Sequence, residues 1–593
     1  MRKNLFFTSK SIVVSEIILT FALGMDTKND RRWIYGLVMV LMACHIVVGA
    51  FAARAKIEWK TYTQPDGTVL TLTLCGDEHF HCYRDTEGRF FSRDSLGVFS
   101  PLTPDQVRQA SARTRSNDVF LTYPHTSWEP DRIYRQLVVL VSFSDCDFSM
   151  ENPSDTYNAI FNEPGYNQQQ GLGSVADYFR DQSGGMFNLQ FDVYGPIKVS
   201  SKAQSSSSAK NYGRETFREA TQNLIAEHPE IDYSPYDWNN DGIVDQVIFI
   251  YAGLSGNTAG ATGYIWPNTW TFTTIKTPDG YKISNFSASA ERWTASLLCG
   301  IGTICHEYSH CLGLPDIYPT STSVSAVSIV DEWDLMDGGN YTNRGWCPPN
   351  YSPLEKMLMG WLTPEELNED TDISGMKPVA DGGKAYLIRH TDNEFYLVEN
   401  RQWQGWDLGL PGHGLMVYHV KYDQSKWENN AVNNTNGQPY YCLVPADNLD
   451  YNGWIEVYTQ SGRKSHYING QMMNSIYLST AAYPWHTDST TFVNRELTAT
   501  SVPAAQMYDA DADGSKMLTK SLTNITEHED GTISFSFRVN RQTEVKVADI
   551  IAITNYIAGK TTGEVTLEEV DVNRDGVVNV ADIIAVVNMI CSQ

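Results

Sequence analysis

His306 and His310 stand four residues apart in "CHEYSHCLGLPD" (305–316), with Glu307 between them and Asp316 three positions past Gly313. On a helix, residues four apart share one face, so the two imidazoles would point at a common spot. Neutral imidazole suits a zinc ion, and Glu307, one residue round, would be placed to take a proton from water at that ion. Gly313 lets the chain leave the helix by a turn that bulkier residues resist. Asp316 could then return as a third ligand. Three protein ligands with a fourth position left open for water make a catalytic zinc site, whereas a structural one is closed. With 13 histidines in 593 residues, an H-E-x-x-H arises by chance about once in a hundred such chains. The glycine and aspartate that follow make coincidence rarer still. Downstream, "DEWDLMDGGNYT" puts Met336 in a tight turn, where a methionine can form an apolar floor beneath such a metal.

These residues need a scaffold to hold them. "RQLVVLVSFSD" (135–145) and "DQVIFIYAG" read as buried strands, while "RETFREATQNLIAEH" reads as an amphipathic helix. "SVADYFRDQSGGMFNLQFDVYGP" reads as a helix and then a strand. "TASLLCGIGTICHEYSHCLGL" is expected to form one long helix closed at Gly313. The mixed order predicts one α/β unit over 131–372. Beyond it, "KAYLIRH", "EFYLVENRQ", "GLMVYHVKYD" and "GTISFSFRVN" alternate as short strands, the pattern of an all-β sandwich over 373–540. The final segment, 541–593, repeats "VADIIA" at an interval of about 33 residues, which signals a paired helical module.

"HEYSHCLGLPDIY" together with "WDLMDGG" resembles the immune inhibitor A-type metallopeptidases, members of the metzincin group. "GSVADYFRDQSGGMFNLQFDVYGP", "YIWPNTW", "SPLEKMLMGWLTPEE" and "FYLVENRQ…GLPGHGLMVYHV" carry the same resemblance, which runs from about 75 to 540. It implies a zinc endopeptidase acting on proteins or peptides, with an α/β metzincin-like catalytic domain, a propeptide before it and a β-sandwich after it. The wider group usually has histidine as third ligand; this family has aspartate, matching Asp316. The resemblance also suggests that Tyr341 hydrogen-bonds a developing oxyanion, although packing beside the turn explains a tyrosine there equally well. "GGMFNLQFDV" could supply an edge strand for an extended substrate, or it could be an interior strand.

Residues 54–130 resemble the family's propeptide, with Arg113 or Arg115 as a processing point. Cys82 in "HFHCYRD" could bring a thiolate to the open zinc position and keep the precursor latent. A disulfide or a buried thiol are its other readings.

Two stretches have the spacing of calcium loops. "DWNNDGIVD" sets Asp237, Asn239, Asp241 and Asp245 at loop positions one, three, five and nine around Gly242, without an acid at twelve. "DVNRDGVVNVAD" fills one, three, five, nine and twelve with Asp571, Asn573, Asp575, Asn579 and Asp582 and resembles a dockerin repeat. The first repeat has Arg538 and Gln542 where acids belong, so one calcium is expected there and a cohesin-like partner is in question.

The compartment follows from the ends and the charge. Arg31 and Arg32, an apolar run from Trp33, and Ala50-Phe51-Ala52 have the order of a secretory signal over 1–53, with translation starting at Met25. The alternative is an uncleaved anchor. A net charge of −26 argues against a nucleic-acid partner. Nine cysteines follow the signal, an odd number whose pairing the spacing does not give. Two rival functions fit the same layout: an adhesion protein that keeps the fold without cleaving, and a zinc hydrolase acting on a glycan-linked substrate. Glu307 beside a full ligand set argues against the first, because metal binding alone needs no base.

Overall fold

The computed structural model describes residues 55, 59–76, 80–94, 96–103, 106–107, 128–205, 213–259, 263–320, 329–435, 438–448, 467–468, 471–472, 479–486, 492–512, 514–539, 547–560, 570, 572 and 577–591. The signal region, Arg113, Arg115, Asp571, Asn573 and Asp575 lie outside them.

Five short strands open the described chain as an antiparallel meander: β1 (Lys60–Thr63), β2 (Val69–Gly76), β3 (His81–Asp85), β4 (Phe90–Arg93) and β5 (Phe99–Leu102). Leu72, Leu74, Tyr83 and Phe99 pack with Trp266 of the following unit, and the His81 ring lies 4.6 Å from that indole. The propeptide-like segment is thus seated on the stretch that leads into the site.

The central unit is built on a mixed sheet. Its strands are β6 (Ile133–Ser142), β7 (Asn188–Lys198), β8 (Val247–Leu254), β9 (Asn268–Lys276), β10 (Lys282–Thr294) and β11 (Leu297–Leu298), in the order β11-β10-β8-β6-β7 with β9 also on β10. β7, β6, β8 and β10 run parallel to their neighbours, while β9 and β11 pair antiparallel with β10. In β6, residues 137–141 are fully buried, as a parallel strand covered on both faces requires. Val138, Leu140, Ile248 and Ile250 point to one face, against α1 (Pro153–Asn162), α2 (Val175–Gln182) and α4 (Ile301–Cys311). Leu137, Val139, Val141 and Phe249 point to the other, against α3 (Arg214–Glu227).

The helix that carries the histidines is shorter than the sequence pattern suggests. Residues 294–300 end the β10–β11 hairpin, and α4 begins only at Ile301. Two close approaches account for this. A Cβ on Gly300 would sit 2.2 Å from the carbonyl carbon of Gly345, and one on Gly302 would sit 2.2 Å from the Asn340 oxygen. The helix start is therefore pressed against the segment after Met336, and only glycine fits. Residues 301–310 are all buried, so α4 is a central helix without a solvent stripe.

α5 (Pro353–Leu358) begins with proline and a Ser352–Glu355 capping box. The strands β12 (Glu365–Glu366), β14 (Tyr386–Arg389), β15 (Glu394–Arg401), β16 (Gly414–Lys421) and β17 (Tyr441–Leu443) then form one sheet. β13 (Thr371–Met376) joins a second, antiparallel one with Lys520–Glu527 and Ile533–Val539. β12 and β13 show that chain before 373 already belongs to these sheets. The alternating pattern read in β15 implied one wet face, yet all eight of its residues are buried. Leu397, Met416 and Tyr418 share the core of the central unit, whereas Tyr396, Val398 and Val417 face Phe535 and Phe537. The downstream sheet is therefore a middle layer fused to the unit that carries the histidines. Arg401, fully buried, seals that junction through Glu399 (2.6 Å), Asp407 (2.7 Å) and the Asn350 carbonyl (3.0 Å). A buried arginine needs this degree of pairing to offset its desolvation.

At the C-terminus, helices Val547–Ile557 and Val580–Cys591 pack through Ile553, Val570 and Val586. Ile551, Ile557, Ile584 and Val587 remain exposed. Among the described residues, no helix is long and apolar enough to cross a membrane.

Candidate metal centre

Successive elements bring His306, His310 and Asp316 together. Both histidines lie on α4, and their Nε2 atoms are 3.2 Å apart. The helix ends at Cys311, Gly313 turns the chain with φ of +101°, and Asp316 comes back with Oδ1 3.3 Å from each Nε2. Among the described residues this is the one group of three histidine, cysteine or acidic side chains whose ligand atoms all lie within 4.8 Å of one another.

Backbone carbonyls fix which ring nitrogen faces the centre. His306 Nδ1 donates to Leu335 O (2.8 Å), and His310 Nδ1 donates to Leu314 O (2.7 Å). A carbonyl can only accept, so the proton sits on Nδ1 and each Nε2 offers a lone pair inward. Burial pulls the His310 pKa down against the opposing pull of Asp316, which favours neutral imidazole. Among the described residues no donor hydrogen-bonds Asp316 Oδ1, although that atom is buried. Lone pairs and a carboxylate oxygen converging without a proton among them fit a cation, and two imidazoles with one carboxylate suit zinc.

Met336 is fully buried, and its turn is tied to both sides of the centre: Leu335 supplies the carbonyl for His306, and Ile317 N donates to Met336 O (2.9 Å). Glu307 is fully buried beside the first histidine. Thr269 Oγ1 on β9 donates to the Glu307 carbonyl (2.7 Å) and lies 3.2 Å from Glu307 Oε2. β9 is therefore the strand at the site, whereas "GGMFNLQFDV" leads into β7 at the opposite edge of the sheet. β7 is thus an edge strand and not an interior one, but the sheet order puts it beyond β6, away from Glu307.

The remaining expected site residues have partners of their own. Tyr341 OH accepts from Asn257 Nδ2 (2.8 Å), and its ring meets Trp293 edge to face. Cys82 is buried opposite Cys75 in the β2–β3 register, with Sγ atoms 3.7 Å apart. The hydrogen bond to Cys75, together with burial, pushes its thiol pKa up, so the placement favours a buried thiol beside a second cysteine over a ligand for a metal held by the histidines.

Asp237, Asn239, Asp241 and Asp245 do share one tight loop. Asp237 accepts from the amides of Asp241 (3.1 Å) and Gly242 (2.8 Å), Asn239 accepts from Asp241 N (3.0 Å), and Asp245 accepts from Trp238 N (2.6 Å). In the tail, Asn579 and Asp582 cap the last helix, Asn579 Oδ1 accepting from Ala581 N and Asp582 Oδ2 from Asn579 N (2.8 Å each).

One residue at the centre escaped the sequence reading. Asn430 lies 114 positions from Asp316 and hydrogen-bonds it twice. No spacing in "ENNAVNNTNG" marks it.

Two buried histidines on a helix with an aspartate returning to them and a glutamate beside them are the set of groups a metallopeptidase-type centre would use. Residues 135–359 match the profile of the immune inhibitor A peptidase M6 catalytic domain, and residues 539–591 match the dockerin type I domain. The chain is thus similar over 135–359 to metallopeptidases of the immune inhibitor A class and over 539–591 to dockerin type I domains. Among curated proteins it is 23% identical over 269 residues to immune inhibitor A of Bacillus thuringiensis subsp. alesti, covering 37% of this chain and 38% of that one. It is also 23% identical over 289 residues to the pre-pro-metalloprotease PrtV of Vibrio cholerae, covering 42% of this chain and 30% of that one. The match thus spans about a third of either relative.

Proposed function

We propose that the chain is an exported zinc endopeptidase, made as a precursor, that hydrolyses peptide bonds in proteins. The observation that carries this reading is the convergence of His306 Nε2, His310 Nε2 and Asp316 Oδ1 beside Glu307. A zinc ion held there would polarise the scissile carbonyl and acidify a neighbouring water. Glu307 accepts the water proton and returns it to the leaving amine. Thr269 steadies that carboxylate, and β9, paired among the described residues with β10 alone, offers main-chain groups to an extended substrate. Tyr341 stays a candidate oxyanion donor in this reading, since the bond from Asn257 uses its oxygen as an acceptor. The name of the Vibrio relative supports a precursor with an export segment. The test is digestion of casein by the processed chain. A zinc chelator should stop it and added zinc should restore it; digestion indifferent to both defeats the reading.

The loop 237–245 binds a structural calcium ion in this reading. Its acidic spacing and the φ of +82° at Gly242 support that role. At a hundredfold excess of calcium over Kd, the melting temperature should rise by roughly 5–10 °C. Asp237→Ala should erase the rise, and a wild-type chain that does not respond removes calcium from the account. The dockerin domain attaches the enzyme to a cohesin-like partner, a role supported by the exposed Ile551 and Ile584 on its two helices.

A further inference from the structure

We propose that Asn430 is a positioning residue for the metal ligand Asp316, so that the downstream sheet unit, and not the peptidase domain alone, completes the zinc centre. This inference rests on the zinc reading above. Asn430 follows the short helix α6 (Gln424–Glu428), which leaves β16 and is capped by Asp423. Its carboxamide meets Asp316 at both ends: Oδ1 accepts from Asp316 N (2.7 Å), and Nδ2 donates to Asp316 Oδ2 (2.7 Å). Asparagine is suited to this on two counts. It carries a donor and an acceptor on one flat group, and it tolerates the left-handed backbone found here, with φ of +42°.

The consequence for Asp316 is geometric. Oδ2 is committed to Asn430, which leaves Oδ1 as the oxygen turned towards both imidazoles. The carboxylate is thereby set for one-oxygen ligation and kept from rotating. A charge-assisted bond of this kind is among the stronger protein hydrogen bonds, and it is made out of water, with Asn430 8% exposed.

The grip extends along the loop. The Asn430 carbonyl accepts from Thr320 Oγ1 (2.6 Å), and Asn434 Nδ2 donates to the same hydroxyl (2.9 Å). Asn433 Nδ2 donates to Ile317 O (2.7 Å) and Tyr441 O (2.9 Å), and its Oδ1 accepts from Tyr440 N (2.8 Å). The loop bearing the third ligand is thus fastened to β17 of the downstream sheet.

The test measures zinc affinity of the full chain by competition with a chromophoric chelator, with no substrate present. Asn430→Ala should weaken zinc binding by roughly 10–100-fold, the usual cost of losing a partner of a metal ligand, and should alter the visible spectrum of the cobalt-substituted chain. Asn430→Asp, which keeps the shape but replaces the donor with a charge facing Asp316, should weaken it at least as much. Asn429→Ala, one residue earlier with an exposed side chain that bonds Ser425 and not the Asp316 loop, should leave zinc affinity unchanged. Melting temperatures of the metal-free chains separate folding from metal binding. If Asn430→Ala is itself unstable, Asn430→Asp decides. Wild-type affinity in both Asn430 variants overturns the positioning role and leaves the zinc reading standing. A wild-type chain that takes up no zinc overturns both.

Discussion

Replacing Glu307 with glutamine should lower kcat on a peptide substrate by roughly 10²–10⁴-fold, the range typical of a lost general base, while the protein keeps its zinc. The two carry nearly the same shape, so the buried pocket against Thr269 stays filled. What is lost is the ability to accept a proton in the transition state and pass it on. KM should therefore change little, because the substrate still meets the same walls. Stopped assays across substrate concentration, with zinc content measured on the same samples, check both halves. If kcat survives with zinc in place, another group is the base and the assignment of Glu307 fails.

Asp316→Ala should have a still larger effect, acting on the metal itself. On the proposed reading it removes the charged member of the group and leaves two neutral imidazoles, which hold a dication weakly. It also strands the Asn430 donor in a buried position. Dialysed protein should contain no stoichiometric zinc, and cleavage should fall to that of the chelated wild type. His310→Ala should match it, since its Nε2 faces the same point. Retention of one zinc by Asp316→Ala would mean that the third ligand lies elsewhere.

The part of this site written in local spacing was legible in the sequence. Helical periodicity alone puts His306 and His310 on one face, and Gly313 announces the turn that returns Asp316. Tertiary contacts decided the rest. The start of α4 is set by a helix pressed onto Gly345, which no pattern within "TASLLCGIG" reveals. β15 alternates like a strand with one wet face, yet layers pack on both sides of it. β7 reads as a strand that could border the site, and only the sheet order and the Thr269 contact put β9 beside Glu307 instead. Asn430 belongs to the same class, since a side chain 114 residues away acts through space and leaves no periodic trace. Cys82 was a candidate by chemistry alone, and the β2–β3 register gave it a different neighbour.

The central claim is that two imidazole nitrogens and one carboxylate oxygen surround a single zinc ion. X-ray absorption at the zinc edge, on purified full-length chain holding one equivalent of metal, tests it directly. The expected result is a first shell of nitrogen and oxygen at about 2.0–2.2 Å with imidazole scattering from two rings. A sulfur shell near ~2.3 Å, scattering from a single ring, or a chain that binds no zinc would contradict it.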